Sequence, residues 1–343
     1  MSDIASFRQK LAVLGKYLDD PAVTEIAINR PGEVWIGRQG ERYMQPVQLC
    51  TLNYALLSSL AEVTAHYSAQ HHDRRKPLLS ATIPIDLRDG IPVHQRGGYR
   101  VQIILPPAVE ERTVAVTIRK PALLDFSFDD YTQQGAFNDV NRVMTADVQS
   151  DQHLRQLFNE RRWRDFLSAA IKAHKNIVIS AGTNAGKTTI LNAMLKEIPK
   201  QERIVTIEDS REVRPPQPNR LHLLYSRGGQ GEADVGAVEL LETVLRLTPD
   251  RAIIGELRGA EAYAYLELLN TGHSGSITTV HANSPTLMFE RLAQMVMRFG
   301  SPLTKAEIID YARSLIDVVV QFQRDAKGRR YISQIDYAGV RHV

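Results

Sequence analysis

The residues most able to do chemistry lie just past the middle of the chain. Ile177-Val178-Ile179-Ser180 runs into Ala181-Gly182-Thr183-Asn184-Ala185-Gly186-Lys187-Thr188-Thr189, and an apolar helical pattern follows. A buried strand, a small-residue loop and a helix N-terminus turn backbone N–H groups toward phosphate oxygens, and the helix dipole adds positive potential. Gly182, Thr183, Asn184, Ala185, Gly186 and Thr189 are expected to wrap the phosphates of a nucleoside triphosphate. Lys187 would reach its β- and γ-phosphates, and the Thr188 hydroxyl would ligate Mg²⁺. The strict pattern has glycine where Ala181 stands; Gly182 is adjacent, and Asn184 tolerates left-handed backbone angles, so the loop can still close.

Two downstream strands end in carboxylates. Arg203-Ile204-Val205-Thr206-Ile207-Glu208-Asp209 is one, and Ala252-Ile253-Ile254-Gly255 running into Glu256-Leu257-Arg258 is the other. Open α/β sheets bind ligands at this strand edge. Phosphoryl transfer needs one carboxylate near Mg²⁺ and one to orient the attacking water. The sequence leaves the division of labour open, with Glu208 favoured for the water and Glu256 for the metal shell. Between Thr271 and Asn283 a small-residue turn, a strand and a helix start carry a histidine at each end of the strand, His273 and His281. An imidazole at a strand's C-terminal end could report on the γ-phosphate. His273 enters the candidate catalytic set with Lys187, Glu208 and Glu256.

The elements that must position these groups follow from periodicity. Beyond residue 151 the expected order is a helix at 152–173, a strand at 176–180, a helix from Lys187 and strands at 204–208 and 220–225. A helix at 236–247, a strand at 252–255, a helix at 260–270 and a strand at 276–280 come next. Helices at 284–299 and 304–316 and strands at 317–323 and 330–337 close the chain. Apolar runs without alternation are what strands buried on both faces look like, so this half is expected to be α/β with a mainly parallel sheet. Upstream, Ile4, Phe7, Leu11, Leu14 and Leu18 give one helical face. Strands at 25–29 and 33–36, a helix at 52–67 and strands at 99–105 and 113–119 imply a smaller α+β domain with an antiparallel sheet. The expected division is residues 1–121, a linker at 122–150, and 151–343.

Composition bounds the rest. The 343 residues are 43% hydrophobic and 24% charged with a net charge of +3, so no global field argues for a nucleic-acid binder. Neither an apolar run of membrane-spanning length nor a signal peptide is apparent, and cytoplasmic residence is expected. The lone Cys50 permits no intrachain disulfide and fits a reducing compartment. The His71-His72-Asp73 run lacks a matching ligand set for a metal. The Arg161-Arg162-Trp163-Arg164 cluster falls inside an expected helix and reads as a solvated face, with contact to lipid headgroups or a partner as the alternative.

Taken together, the phosphate loop, Thr206-Ile207-Glu208-Asp209, the run from Leu245 to Arg258, and Thr271-Gly272-His273 through His281-Ala282-Asn283 resemble the secretion ATPases. These are the traffic motors of type II and type IV secretion and of type IV pili. Leu18-Asp19-Asp20-Pro21, the run from Glu25 to Glu33, Val101 to Pro107 and Thr117-Ile118-Arg119-Lys120-Pro121 make the chain look like the small type IV secretion traffic ATPase. Type II motors usually carry a four-cysteine zinc element, which Cys50 alone excludes. The resemblance implies a RecA-like phosphate-loop domain, ATP and Mg²⁺ as ligands, and a homohexamer hydrolysing ATP to power substrate transfer and pilus assembly. It also implies docking on inner-membrane components at the cytoplasmic face, and a nucleotide lying between the two domains of one subunit. Arg100 and Arg119 are then the candidate phosphate clamp. Competing readings are a nucleotide-gated assembly or adaptor subunit with little turnover, a type IV pilus or type II secretion motor, and a DNA-handling motor; sequence-specific nucleic-acid binding is not expected.

Overall fold

The computed structural model describes residues 2–84, 98–121, 127–140, 145–229 and 231–340. Helix α1 (Ser2–Leu11), a tighter 3-10 turn at Ala12–Leu14 and α2 (Gly15–Leu18) open the chain. The single helix expected here is thus broken near Gly15, yet Phe7, Leu11, Leu14 and Tyr17 still share one buried core. Helix α3 (Tyr54–Tyr67) joins them; its first turn is capped by Asn53, whose side chain accepts from the Leu56 N–H at 2.9 Å.

These helices cover one face of a six-stranded antiparallel sheet. Its strands are β1 (Val23–Arg30), β2 (Glu33–Arg38), β3 (Gln45–Gln48), β4 (Leu78–Pro84), β5 (Gly98–Ile104) and β6 (Ala115–Arg119), in the spatial order β3-β2-β1-β6-β5-β4. Alternation assigns the faces. Ile26, Ile28, Val101, Ile103, Val116 and Ile118 meet the helices. Glu25, Ala27 and Asn29 of β1, the odd positions of β6 and the even ones of β5 turn the other way, toward the C-terminal half, where Ile104 and Ala115 join its core. Arg100 and Arg119, paired across β5 and β6, lie in this second set.

Between the halves come α4 (Phe128–Gln133), α5 (Thr145–Asn159) and α6 (Trp163–Lys172). The one helix expected at 152–173 is therefore two. Arg161 at a φ of 56° breaks the path, and Trp163 packs edge-on against Phe158. The basic cluster 161–164 sits at this junction, where Arg162 is paired with Asp165 at 2.8 Å.

The second sheet holds β7 (Ile177–Ala181), β8 (Ile204–Glu208), β9 (Arg220–Leu224), β10 (Arg251–Leu257), β11 (Ile277–His281), β12 (Val318–Arg324) and β13 (Arg330–Tyr337). The order is β13-β12-β7-β11-β10-β8-β9, parallel throughout except for β13 on β12. Every residue of β7 and β8 is buried, which is why neither shows alternation. On one face lie α8 (Ala237–Val244), α9 (Glu261–Asn270), α10 (Pro285–Arg298) and α11 (Lys305–Leu315). On the other lie α5, α6 and α7 (Lys187–Leu195). The edge strand β9 is covered by the N-terminal half, with the Leu224 N–H donating to Ala108 O at 2.8 Å. Among the described residues no helix is long and apolar enough to cross a membrane.

Candidate active site at the phosphate loop

Parallel pairing sets His281 opposite Ala181 and Phe322 on the other side of it, so the ends of β7, β11 and β12 form one edge. Ala181 is fully buried and still part of the strand, so nothing there demands glycine. The left-handed residues are Asn184 (φ 58°) and Gly186 (φ 99°), and α7 starts immediately after them at Lys187. Successive turns of this kind make a concavity of N–H groups suited to an anion. A β-carbon at Gly186 would be strained and would stand 3.1 Å from Nε of Arg330.

Lys187 projects toward the next strand. Its Nζ stands 3.1 Å from Nδ1 and 3.0 Å from Nε2 of His281. His281 Nε2 is 2.9 Å from Glu256 Oε1, and Arg258 donates to Glu256 Oε2 at 2.6 Å and to Asp209 at 2.9 Å. Burial holds the Lys187 ammonium below its ordinary range, opposed by the Glu256 charge. Burial likewise holds His281 down, with Lys187 and Arg258 adding to the effect against Glu256. The imidazole between a cation and a carboxylate is therefore neutral near pH 7. Glu256 Oε1 is buried and, among the described residues, meets only the His281 ring, so it is an acceptor with capacity to spare beside the loop.

Glu208 is placed differently. Its Oε1 accepts from the N–H groups of Glu212 (2.9 Å) and Val213 (2.7 Å), and its Oε2 accepts from Thr206 at 3.3 Å. Burial raises its pKa, with the two backbone donors opposing. The carboxylate thus fixes the turn after β8, and that turn presents Glu212 to Thr188, whose hydroxyl donates to Glu212 Oε2 at 2.9 Å. A groove of about 620 Å³ runs from Thr188 and Thr189 along α7 to Arg211, Glu212 and Arg214. The residues fit a nucleotide with its metal: a left-handed loop, a lysine with no carboxylate in contact among the described residues, a hydroxyl beside an acid, and a buried carboxylate oxygen opposite that meets only the His281 ring.

Over nearly its whole length the sequence matches curated type IV secretion proteins. It is 37% identical over 347 residues to the type IV secretion system protein VirB11 of Bartonella quintana (strain Toulouse), covering 97% of this chain and 93% of that one. The VirB11 of Brucella suis biovar 1 (strain 1330) is 38% identical over 343 residues, covering 97% and 90%. The family described as Type II/IV secretion system protein matches residues 138–325. This chain belongs to that family, with the VirB11-type secretion ATPases. The crystal structure of the Brucella suis VirB11 ATPase in complex with sulphate superposes with a TM-score of 0.87 at 36% identity, covering 98% of this chain and 95% of that chain.

Three residues of the expected site of this secretion ATPase lie away from the loop. His273 precedes β11, at the strand end opposite to His281, and its pKa is lowered by burial and by the charge of Arg119. Arg119 also acts on Glu25, which accepts from Thr248, so it sits where β10 begins rather than where it ends. Five residues of parallel strand, roughly 17 Å at ~3.3 Å each, separate the two edges. Arg100, Arg119 and Arg246 line a separate pocket of about 300 Å³ with Ser80, Thr82 and Gln102. The two arginines therefore do not close over the nucleotide loop of their own chain, because the sheet face that carries them packs against the far edge. The fold brings in two residues outside the expected set, His281, which the sequence singles out beside His273, and Glu212, which it does not. His281 was the histidine at the ligand edge, a signal present in strand direction; Glu212 follows β8 in a loop and carried no signal beyond being acidic.

Proposed function

We propose that this secretion ATPase hydrolyses ATP with Mg²⁺ at the loop around Lys187. The observation carrying this reading is the Lys187–His281–Glu256 cluster, whose buried Glu256 Oε1 meets only the His281 ring and stands beside the loop. Lys187 and the loop N–H groups bind the phosphates, and Thr188 and Glu212 would hold the metal. The metal, when bound, neutralises charge on the terminal phosphates. Glu256 orients the attacking water and accepts its proton, with neutral His281 fixing the carboxylate; Glu208 acts by positioning Glu212. This reverses the roles that the sequence favoured for the two glutamates.

The arginine pocket belongs in the same reading. Arg100, Arg119 and Arg246 gather on a face remote from their own loop, with no acid among the lining residues. A ring of identical subunits, here a hexamer, would let this pocket meet the phosphates bound by a neighbour. Hydrolysis then opens and closes contacts between subunits, and this motion drives substrate transfer and pilus assembly at the cytoplasmic face of an inner-membrane secretion machine. The sulphate in the Brucella suis relative, an oxyanion of phosphate shape, is consistent with such a site. The purified chain is expected to release phosphate from ATP in a Mg²⁺-dependent manner, and Lys187→Ala and Glu256→Gln to lose that release. Turnover retained by both variants would refute the site.

A further inference from the structure

The β12–β13 hairpin ends at the same edge as the phosphate loop, because β12 runs parallel to β7 with Phe322 beside Ala181. Two residues beyond Phe322, Arg324 pairs with Arg330 across the hairpin mouth. The turn between them is pinned by Asp325, which accepts from the N–H groups of Lys327 (3.0 Å) and Arg329 (2.9 Å) and from the Arg329 guanidinium at 3.2 Å. That pairing uses Arg329 and leaves the next arginine for something else. Arg330 lies on Gly186: a β-carbon there would be 3.1 Å from its Nε, 3.2 Å from its Cδ and 3.5 Å from its Cζ. Among the described residues the Arg330 side chain makes no hydrogen bond or ion pair. A guanidinium held against a loop of N–H donors without a carboxylate is an arrangement that an anion stabilises.

Sheet order says which part of the ligand it meets. β7 has β11 and β10 on one side, bringing His281 and Glu256, and β12 and β13 on the other. The reacting end of the nucleotide belongs on the β11 side, where the acceptor for water lies. We propose that Arg330 is a nucleotide-binding residue supplied by the same subunit, holding the phosphate next to the ribose across Gly186. The idea rests on ATP occupying the loop around Lys187. It also gives Gly186 a second reason to be glycine: any side chain there fills the space between loop and guanidinium.

The test is binding of ADP and of a non-hydrolysable ATP analogue, by calorimetry, to the full chain and to Arg330→Ala, Arg330→Lys and Arg329→Ala. Loss of one charge-assisted contact is expected to raise Kd about ten- to a hundredfold for both nucleotides in Arg330→Ala. Arg330→Lys should recover part of the loss, and Arg329→Ala should bind as the parent does. Unchanged affinity in Arg330→Ala overturns the proposal, as does a loss confined to the ATP analogue, which would put the guanidinium at the terminal phosphate. A parent chain that binds neither nucleotide, or a Lys187→Ala chain that binds both undiminished, overturns the reading of the loop itself.

Discussion

Replacing Glu208 separates a residue that touches the reaction from one that holds the turn beside it. Glu208 is 3% exposed, and its Oε1 accepts from two backbone N–H groups, of which Val213 is also buried at 1%. Glu208→Ala leaves both donors without a partner. Glu212 is exposed and its N–H can turn to water, so the buried Val213 N–H carries the penalty, and the change should destabilise the turn by about 1–3 kcal/mol. In Glu208→Gln the amide oxygen can still accept both, and the Thr206 hydroxyl can reverse to accept from the new amide; about 1 kcal/mol or less of charge assistance is lost. Because Glu212 reaches Thr188 only through this turn, Glu208→Ala should raise the Mg²⁺ concentration needed for half-maximal hydrolysis. Glu208→Gln should keep kcat within several-fold, whereas Glu256→Gln should lower it by about 10²–10⁴. Phosphate-release assays across a Mg²⁺ titration, alongside amide exchange at 212 and 213, measure all of this. A Glu208→Gln chain with an intact turn, normal Mg²⁺ dependence and no turnover would refute the positioning role.

Other expectations follow from the same contacts. Burial, with the charges of Arg211, Arg220 and Arg30, pushes His222 down to about 3, so the unfolded chain takes up a proton below about pH 6.5 that the folded chain refuses. Stability is therefore complete above that pH and is lost as pH falls toward 3, by about 2 kcal/mol between pH 6.5 and 5. His222→Gln should flatten this part of the urea-midpoint profile, and identical profiles would exclude His222 as its source. Gly186→Ala should abolish nucleotide binding, since φ 99° and the Arg330 side chain both oppose a β-carbon; binding that survives would mean the loop is not held in this form. Mixing Arg119→Ala with Lys187→Ala subunits should restore some hydrolysis if arginine and loop meet between chains, and none if they meet within one.

The C-terminal half was readable because its signals are local. The strand, loop and helix around Lys187 follow one another in sequence, and β8 and β13 keep the bounds expected for them, 204–208 and 330–337. Asn184 was legible as a left-handed position from its chemistry alone. The missed strands are edge strands: β3 is largely exposed, contains Pro46 and shows no alternation, and β4 pairs with β5 alone. The site failed to read wherever its members are distant in sequence. Nothing local says that a residue 24 positions after Thr188 will receive its hydroxyl, or which edge of the second sheet the arginines of the first will face. Choosing between His273 and His281 needed only the direction of β11, since ligands gather where parallel strands end.

Strand β8 ties the site to the other half of the molecule. At its far end Arg203 donates to Asn219, whose same side-chain oxygen accepts from Asn29 of the N-terminal half, and at its near end Glu208 grips the turn that carries Glu212. Parallel ladders brace it on both sides against bending, and close packing leaves it no room to buckle. The turn beside Thr188 and the Asn29–Asn219 contact with the N-terminal half are thus the two ends of one stiff element.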